Sequence, residues 1–209
     1  MKKLVDLKVK SFLDEVASES PAPGGGSVAA LAGALGAALS AMVCNLTLGK
    51  EKYAAVHDEI GEVLDRCEHT RERLVDIIDK DTEAFNKVME ALKLPKNSDE
   101  EKKVRKNKLQ EAFKGAALVP LETARLCAEI MELSKVVAQK GNQSSITDAA
   151  VSALMAEAGF KAAILNVRIN LTSIKDKRFV DDVEYEIELM ERNMEDGSRE
   201  VMDFVKSAF

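Results

Sequence analysis

Aromatic residues make up only 4% of this 209-residue chain, and few segments show the β-branched alternation of a strand, which argues against sheets and for helices. The two histidines, His57 and His69, stand twelve apart, outside HExxH or any other metal-ligand spacing, and no cysteine cluster accompanies them, so no metal is expected. A Ser-His-Asp arrangement would have to recruit one of these two, and GxSxG is absent. The three cysteines, Cys44, Cys67 and Cys127, are far apart, odd in number and free of CxxC spacing, which suggests a reducing cytoplasm and no disulfide. With only four prolines, 46% hydrophobic and 32% charged residues, the chain has the composition of a packed core rather than of disorder.

An excess of positive charge is lacking too. The net charge of -6 gives no electrostatic reason to bind nucleic acid. The one basic run, residues 102–108, follows Asp99, Glu100 and Glu101 and reads as a solvated helix face. The N-terminus has two lysines but no apolar h-region, so no signal peptide is expected. The longest apolar stretch, residues 28–44, is dominated by Ala and Gly and falls short of the ~20 residues of a membrane span. It is expected to be a buried helix.

What is present is helical periodicity between a few breakers. Those are Ser20-Pro21-Ala22-Pro23-Gly24-Gly25-Gly26, Leu94-Pro95-Lys96-Asn97-Ser98, Lys140-Gly141-Asn142 and a charged joint at residues 175–178. Helices are expected over 4–18, 27–49, 53–92, 98–139, 144–171 and 177–207. They form an all-α bundle of about six helices in a single domain over residues 1–209. Pro120 lies inside the fourth and is expected to kink or split it. The last helix carries a seam of Val183, Ile187, Met190, Met194, Val201 and Val205. In the helix over 27–49, small-residue rows (Gly26, Ala30, Ala34, Ala38 and Gly33, Ala37, Ala41) let a neighbouring backbone approach closely, within the bundle or across a subunit boundary.

The helix over 53–92 repeats an apolar seam at Val56, Ile60, Val63, Cys67, Thr70, Leu74 and Ile77, then breaks it with Asp81 before Ala84 and Val88. A carboxyl group on an apolar face must be paired or perturbed, and burial raises its pKa toward the range suited to general acid/base work. A buried aspartate bonded to a backbone amide or a basic partner fits the same pattern. Asp79 and Glu83 are expected on exposed faces.

Gly24, Gly25, Gly26 and Ser27 lead into a helix whose amides and positive end suit an anion, although tight helix entry, with Gly26 or Ser27 as N-cap, explains them as well. Asn142 opens another helix start, where Ser145 and Asp148 have capping-box spacing. Asn166 and Asn170, four apart, place two amides on one face. Such a pair can read a heterocycle's edge or satisfy backbone carbonyls.

Taken in order, six segments resemble the formiminotetrahydrofolate cyclodeaminase family, which includes methenyltetrahydrofolate cyclohydrolases. They are Ser20-Pro21-Ala22-Pro23-Gly24-Gly25-Gly26-Ser27-Val28-Ala29-Ala30, Asp79-Lys80-Asp81-Thr82-Glu83-Ala84-Phe85, Leu94-Pro95-Lys96, Val119-Pro120-Leu121, Gly141-Asn142 with Asp148, and Asn166-Val167-Arg168-Ile169-Asn170-Leu171. Thr147 departs from the family's frequent serine. The resemblance implies a homodimer, a substrate that is a tetrahydrofolate derivative and possibly polyglutamylated, and no further cofactor. It makes Asp81 the catalytic aspartate, with Gly24, Gly25, Gly26 and Ser27 lining the folate site and Asn142, Asp148, Asn166 and Asn170 contacting the pterin. Animal relatives carry a formiminotransferase domain for which these 209 residues have no room, so a formimino substrate does not follow automatically. The expected reaction is cyclodeamination to 5,10-methenyltetrahydrofolate and ammonia. The alternatives are methenyltetrahydrofolate cyclohydrolase and, from another class, a non-enzymatic helical scaffold.

Overall fold

A computed structural model describes residues 3–208 and forms one helical bundle, with no strand among those residues. Its α-helices are α1 (Val9–Val16), α2 (Gly25–Leu48), α3 (His57–Lys93), α4 (Asp99–Lys140), α5 (Ile146–Leu171) and α6 (Lys177–Lys206). Short 3-10 turns at Leu4–Asp6, Glu51–Val56 and Gln143–Ser145 complete it. The continuous helix expected over 4–18 is thus a 3-10 turn followed by α1, and the one over 53–92 begins with a 3-10 turn before α3.

Helix α2 packs against α3, α4 and α5. Its small-residue rows make this possible: a Cβ at Gly33 would press on Cys127 and Leu74, and one at Gly36 would meet the α5 backbone at Ser152 and Ala156. Between α2, α4 and α5, three buried hydroxyls sit within the core. Ser152 contacts Ser40 at 2.8 Å and Ser134 at 3.0 Å, and Ser152 and Ser134 also donate to the carbonyls of Gly36 and Ile130. Each hydroxyl therefore has partners despite complete burial. By length and composition α2 and α5 are both able to cross a membrane, yet 61% and 50% of their apolar windows are buried in the bundle.

Helix α4 begins with a capping box, Ser98 accepting from the Glu101 amide while Glu101 reaches back to the Ser98 amide. It then runs unbroken through Pro120, contrary to the expected split. Proline removes the donor that the carbonyl of Ala116 needs. That carbonyl instead accepts from Asn170 Nδ2 of α5 at 3.1 Å, a tertiary bond that fills the gap. The expected capping box at residues 145 and 148 does not form: Ser145 makes no side-chain cap, and Asn142 caps the preceding 3-10 turn by accepting from the Ser144 amide. Cys44 and Cys67, distant in sequence, meet in the core as free thiols.

Candidate active site

Asp81 projects from α3 at the start of α2. Gly24 is the N-cap there, rather than Gly26 or Ser27, and has no side chain with which to satisfy the helix's first amides. Asp81 does so from another helix, its Oδ2 accepting from the Ser27 amide at 3.0 Å. Ser27, fully buried, donates its hydroxyl to the carbonyl of Ile78 at 2.8 Å and lies 3.3 Å from Asp81 Oδ2. The helix N-terminus expected to hold a ligand anion is therefore already occupied by a carboxylate of the protein.

The fit requires glycine. A Cβ at residue 26 would overlap the Asp81 carboxylate, and one at residue 25 would come within 3.1 Å of Asn166 Nδ2. Burial pushes the Asp81 carboxyl above the ordinary carboxylate range, opposed in part by the hydroxyl and amide of Ser27. No cation pairs with it among the described residues, and its Oδ1 accepts no hydrogen bond there. An oxygen with free lone pairs on a carboxyl of raised proton affinity is what a reversible proton carrier needs.

Asn166 and Asn170 stand beside this cluster, and both donate to backbone carbonyls, Asn170 with both amide hydrogens and Asn166 with one. Asn166 Nδ2 donates to Ala162 O at 2.8 Å, while Asn170 Nδ2 is shared between Ala116 O and Asn166 O. Both side-chain carbonyl oxygens and one N–H of Asn166 remain to meet a ligand. A cleft of about 770 Å3 opens one turn beyond Asp81 between α3 and α4, with Lys80, Ala84, Lys87, Lys108 and Ala116 among its walls. Its volume suits a cofactor-sized ligand. Asp81 does not line it. Lys80 and Lys87, seven apart on one face of α3, went unnoticed in the sequence because lysines on a helix ordinarily mark solvent.

Asp79 is a second correction. It is half-buried, not exposed, and its Oδ1 accepts from the Leu4 amide at 2.7 Å, fastening the N-terminal turn to α3. Asn142 and Asp148 lie elsewhere altogether. The Asn142 amide donates to Thr47 Oγ1 near the far end of α2, about 30 Å from Ser27 at 1.5 Å per residue. Within one chain, the nine candidate residues thus fall at two ends of the bundle, seven at the Asp81 end and two at the other.

The family model described as Formiminotransferase-cyclodeaminase matches residues 8–189. The chain belongs to this family. It is 48% identical to a methenyltetrahydrofolate cyclohydrolase of Methylorubrum extorquens, over 86% of each chain. It is 36% identical to mouse formimidoyltransferase-cyclodeaminase over 88% of its own length, though it spans only 34% of that longer protein. The crystal structure of formiminotetrahydrofolate cyclodeaminase from Thermotoga maritima superposes with a TM-score of 0.89 at 33% identity, over 98% of both chains. The all-α bundle is accordingly the family's fold, and the order of the six sequence segments reflects membership.

Proposed function

We propose that this family member is an enzyme of folate one-carbon chemistry that closes a formimino group on tetrahydrofolate to 5,10-methenyltetrahydrofolate and ammonia, with Asp81 as the proton carrier. The observation that carries the residue assignment is the lone carboxyl at the α2 N-terminus, raised in pKa and paired with no cation among the described residues. Support for the reaction comes from the family and from the name of the solved relative.

The chemistry asks for one such group. N10 attacks the carbon of the protonated formimino group on N5, giving a tetrahedral adduct that bears an amino group. The Asp81 carboxylate takes the proton from N10 and returns it to the amine, and ammonia departs with its electron pair, leaving the methenyl cation. Asp81 ends ionised as it began. A pKa nearer neutrality suits both halves of that transfer. Gly24, Gly25, Gly26 and Ser27 keep the carboxyl in place, Asn166 and Asn170 offer carbonyl oxygens to the pterin, and the cleft between α3 and α4 receives the remainder of the folate, polyglutamylated or not.

A second reading has its own support in the 48% identity to a cyclohydrolase. There, water adds to the methenyl carbon and gives one proton to Asp81; the remaining hydroxyl proton ends on N5 as the bond from carbon to N5 opens, yielding 10-formyltetrahydrofolate and one released proton. Methenyltetrahydrofolate absorbs in the near ultraviolet, so its appearance from formimino substrate, or its loss without ammonia, separates the two. We further propose a single-domain homodimer working in the cytoplasm without another cofactor; the free core thiols, and the apolar Val28, Leu35 and Met42 left exposed along α2, support the compartment and the dimer.

A further inference from the structure

The basic run of α4 does not spread evenly over solvent. Lys102, Arg105 and Lys106, with Leu109 and Phe113, fall on one face of the helix at steps of three and four. That face and the turn after α5 enclose a groove of about 680 Å3, to which Lys96 and Lys175 add two more cations from the loops on either side. Five positive side chains thus surround one groove in a chain of net charge -6, and no acidic residue lines it among the described residues. Gathering like charge in this way costs stability unless a counter-charge is supplied.

Carboxylates of the protein supply little of it. Lys102 reaches Asp99 at 2.9 Å, but Lys96, Lys106 and Lys175 have no ion pair among the described residues. Arg105 has none there either. Its Nε and Nη2 donate to the Leu92 carbonyl near the end of α3, at 3.4 and 3.1 Å, which holds the guanidinium in place and leaves Nη1 free. The opposite wall is equally fixed, since Gln110 donates to the Ser173 carbonyl at 2.9 Å and accepts from the Lys175 amide at 2.7 Å. Leu109, Phe113 and Ile174 give the groove an apolar lining between these walls. Fixed cations around an apolar lining have the form of a ligand site rather than of a solvated surface.

We infer that this groove is a second ligand site, separate from the Asp81 site, that takes a polyphosphate group, free or carried on an apolar body such as a nucleoside. A diphosphate or triphosphate gathers about three or four negative charges in a short span, which matches the cations that lack a carboxylate. A single carboxylate would leave most of them uncompensated. The lysine ammonium groups meet such a ligand as point charges, and the held guanidinium of Arg105 adds donors of fixed direction. Leu109, Phe113 and Ile174 offer the carrier's apolar part a place out of water. The folate reading plays no part in this, because the cleft of Lys80 and Lys87 and the turn at Asp81 share no residue with the groove.

The test is calorimetric titration of the whole chain at low ionic strength with tripolyphosphate, ATP and γ-linked pentaglutamate. Tripolyphosphate should fill one site, and added salt should weaken it. The double reversal Lys106→Glu/Lys175→Glu should lower its affinity by at least about 10-fold, while the control Lys10→Glu binds like the parent chain. All three lysines are exposed, so the variants should keep their fold, checked by thermal melts. Tighter binding of ATP than of tripolyphosphate supports a nucleotide as the source, and binding of ATP no tighter supports a free polyphosphate. No saturable binding of either, binding that the double reversal leaves unchanged, or tighter binding of pentaglutamate overturns the inference. The double variant should also turn over folate substrates like the parent chain, and a loss there would overturn the separateness of the two sites. Should the parent chain turn over neither folate substrate, the functional reading fails while the polyphosphate titration still decides this one.

Discussion

The carboxylate of Asp81 occupies the space that a side chain at Gly26 would need. The two residues come from different helices and act as one unit, since the absence of a Cβ lets the carboxyl reach the Ser27 amide. Gly26→Ala improves intrinsic helix propensity by about 1 kcal/mol, yet it must displace Asp81. Activity should fall by about 100-fold while the far-ultraviolet circular dichroism spectrum stays helical. A fully active Gly26→Ala enzyme would show that the close approach has no catalytic importance.

Asp81 also sets a pH dependence of stability. Its folded pKa is raised, chiefly by burial, so the folded state binds the proton more tightly than the unfolded chain. The associated stability is fully present below the ordinary carboxyl range and is lost as pH rises through the raised folded value. Asp81→Asn removes the charged form while retaining an oxygen for the Ser27 amide. Its Tm at pH 8 should equal or exceed that of the parent chain, whereas a scaffold in which Asp81 is an ion-pair partner predicts a clear loss.

Ser27→Ala removes the hydroxyl that helps hold the ionised form of Asp81. The acidic limb of the kcat/KM profile should move to higher pH, because one of the two influences opposing burial is gone. Loss of the bond to Ile78 should cost about 1 kcal/mol in denaturant titrations. A limb that stays in place, or moves to lower pH, contradicts the role given to the hydroxyl.

Asn170 and Pro120 are coupled through the carbonyl of Ala116. Asn170→Ala should destabilise the chain by about 1–3 kcal/mol, since it leaves that carbonyl without a donor. In a Pro120→Ala background the helix supplies its own amide, and the penalty should shrink. Equal penalties in both backgrounds, measured by urea unfolding in a double-mutant cycle, would dissociate the two residues.

Helix periodicity made the six main segments readable, and the break of an apolar seam singled out Asp81, because both are local properties of a chain with few strand formers. What escaped was tertiary. Proline at 120 reads as a helix breaker until Asn170, fifty residues on, is seen beside the orphaned carbonyl. The Gly24–Ser27 turn reads as an anion site until the anion proves to be Asp81 itself. Asp79 looked solvent-facing because the Leu4 amide that binds it belongs to the distant N-terminus. The capping spacing of Ser145 and Asp148 was correct as a pattern, but a 3-10 turn capped by Asn142 takes its place.

The most direct test compares the parent chain with Asp81→Asn on 5-formiminotetrahydrofolate and on 5,10-methenyltetrahydrofolate, following methenyl absorbance, with folding checked by thermal melts. A proton carrier predicts that the parent chain forms methenyltetrahydrofolate from the formimino substrate, with a loss of about 100- to 10,000-fold on substitution and an unchanged or raised Tm. Turnover of the methenyl substrate alone would select the cyclohydrolase reading. Full activity of Asp81→Asn would contradict the account at its centre.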